Sequence, residues 1–175
     1  MCIRDSRSTI NPLLGNMGCK GGRLFAAINW YSKQDHEGAT EDEYPYVSGD
    51  GSDHLECQGE QGEQHVHTEG YSFAINPDKD PITLKQAIQE GPVGLGVKAG
   101  QDAFRLYQGG VVLDGCSSKM ADHAVLLVGL GYDADLDAEY WIIKNSWGTR
   151  WGEDGYIRVG LDQCGVVDGP VYAKV

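Results

Sequence analysis

The sequence is short of positive charge. It has 14 lysines and arginines against 26 aspartates and glutamates, which gives a formal net charge of −12. Nucleic acids and anionic membranes attract positively charged surfaces, so we expect neither as a partner. No apolar run comes near the roughly 20 residues of a membrane span. Because self-repulsion falls as carboxylates take up protons, we hypothesise a mildly acidic working compartment; a stability maximum at neutral pH that is lost by about pH 5 would contradict this.

The cysteines lack the close C-x-x-C spacing of zinc ribbons and redox motifs. Five of them stand far apart, at Cys2, Cys19, Cys57, Cys116 and Cys164. This spacing permits disulfides in an oxidising compartment, and the odd number leaves at least one cysteine without a partner in the chain. The chain start lacks the roughly 7–15-residue apolar segment of a secretory signal. We expect the residues from Met1 to Ser6 to be a non-native leader.

Hydrophobic spacing predicts an α+β fold in which helix precedes sheet. A helical pattern runs from about residue 22 to 34, and a capping-box pattern, Thr83 with Gln86, predicts a second short helix that ends at Gly91 and Pro92. Five apolar segments then predict an antiparallel sheet: VGLGVKA, GGVVL, HAVLLVGLGY, EYWIIKNS and GYIRVG. We therefore predict a helical domain over residues 7–74 and a β-rich domain over residues 75–175.

Two of these segments form a predicted hairpin that brings a histidine and an asparagine together. HAVLLVGLGY and EYWIIKNS flank the turn-forming segment DADLD, whose centre is Asp135. Pairing about that centre makes His123 and Asn145 diagonal neighbours on one sheet face, about 7–8 Å apart at the backbone. A slip of one residue would send one of the two side chains to the opposite face.

A histidine beside an asparagine has a use in nucleophilic catalysis. An imidazole that acts as a general base must be held in one orientation and tautomer, and the amide oxygen of Asn145 can do this for His123 without adding a negative charge. The imidazolium–thiolate form of a cysteine–histidine pair then stays accessible. The indole of Trp147 would keep water from the hydrogen bond and so strengthen it. The alternative is a histidine of purely structural role at the start of a strand.

Four motifs together resemble the papain family of cysteine peptidases, of the cathepsin type: GCKGG, YPYV, DHAVLLVGLGY and YWIIKNSWGTRWGEDGYIRV. The resemblance runs from about Asn16 to the C-terminus, and its last motif is highly specific. It implies a papain-like α+β fold, in which a remnant of the helical domain precedes an antiparallel, barrel-like domain. It also implies that His123 is the catalytic imidazole, Asn145 its orienting amide and Trp147 the shielding indole.

The resemblance further implies a cleft that binds an extended peptide. Gly21 and Gly22 would offer it backbone hydrogen bonds. The pocket for the side chain two residues before the scissile bond would be lined mainly by small residues, with Leu24, Gly96, Ala121, Ala124 and Gly169 as its members. Arg23 and Asp168 would lie at its rim. Asp122, which directly precedes the histidine, is interpreted as a surface carboxylate.

The resemblance places the nucleophile before the first residue of the chain. In this family the histidine follows the nucleophilic cysteine by about 130–150 residues, whereas Cys19 stands 104 positions before His123 (123 − 19 = 104). Cys19 and Cys57 match half-cystines whose family partners would lie upstream, so we expect them to be unpaired or to pair differently. Cys116 and Cys164 match a disulfide within the chain. We expect the chain by itself to be inactive.

These observations predict a fragment of a papain-like cysteine endopeptidase without metal or cofactor. Its expected partners are a peptide or protein substrate, a pro-segment and protein inhibitors. We expect a monomer that is lysosomal, vacuolar or secreted. One alternative is a non-catalytic homologue that binds peptides or partner proteins. Another is a small zinc module, whose candidate ligands fit no compact finger: His54, Cys57, His65 and His67.

Overall fold

The computed structural model describes residues 22–33, 42, 68–74, 81–117, 120–166 and 169–174. Backbone contacts divide the chain into two units, one comprising Met1–Ser72 with Ala173–Val175 and the other Phe73–Tyr172. The predicted domains, 7–74 and 75–175, stay a prediction, because a division by contacts does not test whether each part folds alone. No described helix is long and apolar enough to cross a membrane.

Helices and strands follow one another in mixed order along the described residues. They are α1 (Leu24–Lys33), β1 (Gly70–Phe73), α2 (Pro81–Glu90), β2 (Val93–Val97), α3 (Asp102–Arg105), β3 (Val111–Val112), β4 (His123–Asp133), β5 (Ala138–Lys144), β6 (Tyr156–Gly160) and β7 (Val171–Lys174). The α+β class is therefore confirmed. The predicted helices correspond to α1 and α2, and the predicted strands to β2 through β6.

The start of α2 differs from the prediction. The helix begins at Pro81, so Thr83 lies inside its first turn and cannot be the capping residue. Proline suits a first helical position, because its ring fixes a helical φ and its missing N–H has no partner to lose there. The capping-box interpretation was wrong for this reason.

The sheet of the second unit has the strand order β7-β2-β4-β5-β6-β3. Neighbouring strands in this order pair antiparallel, except for β3 and β6, which pair in parallel. Among the described strands the sheet is open and does not close into the barrel-like form that was expected. The last two residues of β7, Ala173 and Lys174, belong to the first unit. There the backbone N–H of Glu69, which directly precedes β1, donates to the carbonyl of Lys174 at 2.8 Å.

Alternating burial explains why the central segments are strands. In β2 the three branched residues are buried while the two glycines between them are only half-buried. The core-facing positions of the central strands, all fully buried, are Val93, Leu95, Val97, Leu127, Trp141, Ile143, Ile157 and Val159. Burial of one such side chain stabilises the fold by about 1.5–3 kcal/mol. Leu84 and Ala87 of α2 belong to the same core.

The β4–β5 hairpin contains a bulge at Val128. Between Val128 and the turn of the hairpin, each residue of β4 pairs one position away from its predicted partner in β5, as in Gly129↔Ile142. On the other side of the bulge, Leu127↔Ile143 follows the predicted register. One unpaired residue on a single strand produces such a shift.

A bidentate ion pair braces the turn that leads into β6. The carboxylate of Glu153 accepts hydrogen bonds from Arg158 at Nε (2.9 Å) and at Nη2 (2.7 Å). It also accepts one from the backbone N–H of Gly110 at 3.1 Å. The Arg158 guanidinium holds the pKa of the Glu153 carboxyl below its ordinary value.

We expect this pair to make stability depend on pH. Because folding lowers the pKa of Glu153, its stabilisation is present above the ordinary carboxyl pKa and is lost as pH falls through the folded value. Glu153→Gln should therefore flatten the acid decline of the thermal unfolding midpoint, measured from about pH 7 to about pH 3. Asp154→Asn removes a neighbouring carboxylate outside the pair and should leave the decline unchanged. Equal slopes for Glu153→Gln and wild type would contradict this role.

Candidate active site

The ends of two neighbouring strands position His123 and Asn145. His123 is the first residue of β4 and pairs with Val97 of β2. Asn145 directly follows β5, and its backbone N–H donates to the carbonyl of Gly155 at 2.9 Å. His123 is half-buried, and the exposed fraction of Asn145 is 8%. The pair thus lies at one edge of the hydrophobic core.

The two side chains are joined by a hydrogen bond, with 2.8 Å between His123 Nε2 and Asn145 Oδ1. The same Oδ1 accepts the backbone N–H of Ser146 at 2.8 Å, which assigns this atom as the amide oxygen. Because an amide oxygen only accepts, Nε2 carries the shared proton. In a neutral imidazole Nδ1 is then the free base, so this nitrogen can take a proton from a reacting group.

The indole of Trp147 packs against the imidazole. The ring centroids of Trp147 and His123 are 5.0 Å apart, and the ring planes are inclined by 32°. The exposed fraction of Trp147 is 42%, which is large for a tryptophan. The indole therefore covers one side of the imidazole and can limit the access of water there.

Further aromatic residues, which the sequence motifs did not assign to the site, pack behind these rings. Phe104 of α3 is fully buried, and its ring contacts those of His123, Trp147 and Trp151. Trp151 belongs to the KNSWGTRWG motif, so its place beside the site could have been inferred. Phe104 lies in a helix of four residues, which is too short for a hydrophobic period.

Asp122 forms an ion pair beside the site. Its carboxylate contacts Nζ of Lys98 at 2.5 Å and accepts the backbone N–H of Ala99 at 2.7 Å. The hydrogen bond from Lys98 lowers the pKa of the Asp122 carboxyl below its ordinary value. Asp122 is exposed, which agrees with its interpretation as a surface carboxylate.

The predicted peptide-binding residues of the N-terminal part are only partly described. Gly21 lies outside the described residues, as does Asp168 of the predicted rim. Gly22 and Arg23 precede α1, and Leu24 begins it; all three are exposed and belong to the first unit. Their roles in binding stay predictions.

The other predicted pocket residues belong to the second unit. Gly96 of β2 and Ala124 of β4 are direct partners across the sheet. Ala121 is exposed and lies just before β4, and Gly169 is exposed and lies just before β7. Gly96 and Ala124 are thus neighbours of the His123↔Val97 pair, one position along the strands.

Cys116 and Cys164 form a disulfide and are both buried. The carbonyl of Cys164 accepts the backbone N–H of Lys98 at 2.9 Å, next to the Asp122 ion pair. The remaining cysteines and the candidate zinc ligands lie outside the described residues. Within the described residues, no group of three or more His, Cys, Asp and Glu could hold a metal ion.

The profile described as papain family cysteine protease matches residues 8–174. The chain belongs to the papain family. A cathepsin L-like protein of Caenorhabditis elegans is 39% identical over 165 residues, which cover 92% of this chain and 47% of that protein. Human cathepsin L2 is 33% identical over 167 residues, which cover 92% and 48%. The chain thus spans about half the length of these curated relatives.

Solved structures of plant proteases share the fold of this chain. The bromelain protease of Ananas comosus, in complex with the inhibitor E64, is similar with a TM-score of 0.75 and 30% identity, over 90% of this chain and 72% of that one. The proform of the ragweed pollen cysteine protease Amb a 11 is similar with a TM-score of 0.77 and 28% identity, over 90% and 47%. The papain-like fold is confirmed.

Proposed function

We propose that this papain-family chain is part of a cysteine endopeptidase, which hydrolyses peptide bonds through a Cys/His/Asn arrangement. The observation that carries the proposal is the 2.8 Å hydrogen bond between His123 Nε2 and Asn145 Oδ1. It leaves Nδ1 of His123 as the basic nitrogen. In the proposed roles, His123 transfers protons, Asn145 orients the imidazole and Trp147 restricts water.

The proposed reaction begins when Nδ1 of His123 takes the proton of a cysteine thiol, which forms a thiolate–imidazolium pair. The thiolate attacks the peptide carbonyl, and the imidazolium gives its proton to the departing amine. This breaks the peptide bond and leaves a thioester acyl-enzyme. The imidazole then deprotonates a water molecule that hydrolyses the thioester. Because the amide oxygen of Asn145 accepts the Nε2 proton throughout, the imidazole ring keeps its orientation while Nδ1 gains and loses a second proton.

A segment outside the 175 residues supplies the thiol in this proposal. Cys116 and Cys164 are joined to each other. The three cysteines outside this disulfide all stand closer to His123 than the roughly 130–150 residues of the family pattern: Cys2, Cys19 and Cys57. By itself, therefore, the 175-residue chain should hydrolyse no peptide.

The proposed surroundings of the enzyme follow from its relatives and its composition. A rat relative, 34% identical over 168 residues, is named procathepsin L, and the ragweed structure is a proform. These names support a pro-segment as a partner, besides the peptide or protein substrate. The net charge of −12 and the disulfide fit an acidic, oxidising compartment, so we propose a monomer that is lysosomal, vacuolar or secreted.

An epoxide that alkylates thiolates tests the proposed activity. The whole protein, expressed with its upstream segment and activated, should be labelled at one cysteine and should cleave an internal peptide bond. The 175-residue chain should not cleave it. A folded whole protein that is not labelled and cleaves nothing would support the alternative, a non-catalytic homologue that binds peptides.

Asn145→Ala should lower kcat of the whole enzyme about 100-fold, because a misplaced catalytic group costs about this much. KM should change little, since the proposed role of Asn145 is to orient His123 and not to contact the substrate. Steady-state kinetics on a peptide substrate measures both constants. Ser146→Ala is the matched control, because it keeps the backbone N–H that the Asn145 oxygen accepts. An unchanged kcat in Asn145→Ala would contradict the orienting role.

A further inference from the structure

An ion pair lies directly beside the strand end that carries His123. Lys98 follows β2 and Asp122 precedes β4, so the two residues stand one position beyond the Val97↔His123 pair. Their side chains meet at 2.5 Å between Nζ and Oδ2, and their exposed fractions are 30% and 36%. The hydrogen bond from Lys98 holds the pKa of the Asp122 carboxyl below its ordinary value, so the carboxylate stays charged in mildly acidic solution.

Two backbone hydrogen bonds also anchor Asp122 to the end of β2. Its N–H donates to the carbonyl of Val97 at 3.0 Å, and its Oδ1 accepts the N–H of Ala99 at 2.7 Å. A Cβ at residue 100 would lie 3.0 Å from Oδ2, so Gly100 leaves room for the carboxylate. Lys98, which stands between the two backbone partners, supplies the third contact to Asp122.

The backbone of Lys98 is held in turn by the disulfide. Its N–H donates to the carbonyl of Cys164 at 2.9 Å, and Cys164 is buried and bonded to Cys116. An exposed ion pair usually contributes little, because two mobile side chains lose their freedom when they meet. Here the Asp122 carboxylate is already fixed by its backbone partner, so only the Lys98 side chain loses freedom.

We propose that Lys98 is a positioning residue, which holds Asp122 and thereby fixes the backbone of His123 at the start of β4. The catalytic consequence of this inference rests on the proposed function, whereas the link between Lys98 and the start of β4 is independent of it. Without the ammonium, the strand end would open more often, and the imidazole would move with its backbone. A small displacement of a catalytic group lowers the rate of reaction.

A double-mutant cycle in the whole enzyme tests the proposal. Lys98→Met should lower kcat about fivefold, the upper range for an exposed ion pair, with little change in KM. Lys98→Arg keeps the charge and should retain most of the rate. In the Asp122→Asn background, Lys98→Met should lower kcat less than twofold, because the ion pair is already broken. Equal effects of Lys98→Met in both backgrounds would overturn the proposal.

Lys85→Met is the matched control for Lys98→Met. Lys85 of α2 pairs with Glu139 of β5 at 2.6 Å, and the exposed fractions of the two side chains, 27% and 44%, are similar to those of the Lys98 pair. Lys85→Met should leave kcat and KM unchanged. A loss of kcat equal to that in Lys98→Met would show that any broken surface ion pair has this effect, which would refute a specific role of Lys98.

A second measurement does not depend on turnover. Hydrogen exchange of the Asp122 and Ala99 backbone amides, followed by NMR in the 175-residue chain, should be about fivefold faster in Lys98→Met than in wild type. The exchange should be unchanged in Lys85→Met. A whole protein that hydrolyses no peptide would refute the proposed function alone, whereas unchanged exchange in Lys98→Met would refute the role of Lys98.

Discussion

His123→Ala should lower kcat/KM of the whole enzyme about ten-thousandfold, the upper range for loss of a general acid–base group. In the proposed mechanism the imidazole alone takes the thiol proton and returns it to the leaving amine. The variant should also react slowly with the thiol-directed epoxide. Its unfolding midpoint should change little, because His123 is only half-buried at the start of β4.

Tyr132→Phe provides the matched control for this substitution. Tyr132 lies near the other end of β4, is exposed, and donates its hydroxyl to Asp137 at 2.6 Å. Its loss should leave hydrolysis and labelling unchanged. Turnover of His123→Ala near the wild-type rate would refute the assignment of the base.

Replacing both Cys116 and Cys164 by alanine should lower the free energy of unfolding by about 2–5 kcal/mol. The disulfide joins residues 48 positions apart, so it restricts a long loop in the unfolded chain. That loop contains His123, Asn145 and Trp147, and its two ends are buried. Urea denaturation of the 175-residue chain under oxidising conditions measures the difference.

A reducing agent supplies the control for the disulfide. It should destabilise the wild-type chain toward the value of the double variant and should leave that variant unchanged. Equal urea midpoints for the oxidised wild type and the double variant would show that the bridge contributes nothing to stability.

The His123–Asn145 contact could be predicted because its determinants are local in sequence. Two apolar segments around one acidic turn define a hairpin, and the period of two along each strand decides which side chains share a face. The prediction needed the correct pairing only at the end of the hairpin that lies away from the turn, where Leu127↔Ile143 is observed.

Other parts of the site depend on contacts between distant segments. Phe104 stands 19 residues before His123 in the sequence (123 − 104 = 19). It lies in a helix of only four residues, so no periodic pattern marks it as part of the site. Strands β1 and β7 are also four residues each and escape detection for the same reason. Two residues could mark the start of α2: Pro81 as its first residue or Thr83 as its capping residue. The helix begins at Pro81.

The bulge at Val128 keeps the side chains of His123 and Asn145 on one surface of the sheet. If the pairing seen at Gly129↔Ile142 continued inward with Val128 as a regular member of the ladder, Asn145 would oppose Leu126, and the imidazole and the amide would emerge on opposite surfaces of the sheet. The His123–Asn145 pair therefore depends on Val128 staying outside the ladder, because the displaced register near the turn then ends before it reaches the site. Deletion of Val128 itself would make Leu127↔Ile143 and Gly129↔Ile142 consecutive pairs, so it would remove the bulge and leave the imidazole and the amide on one surface.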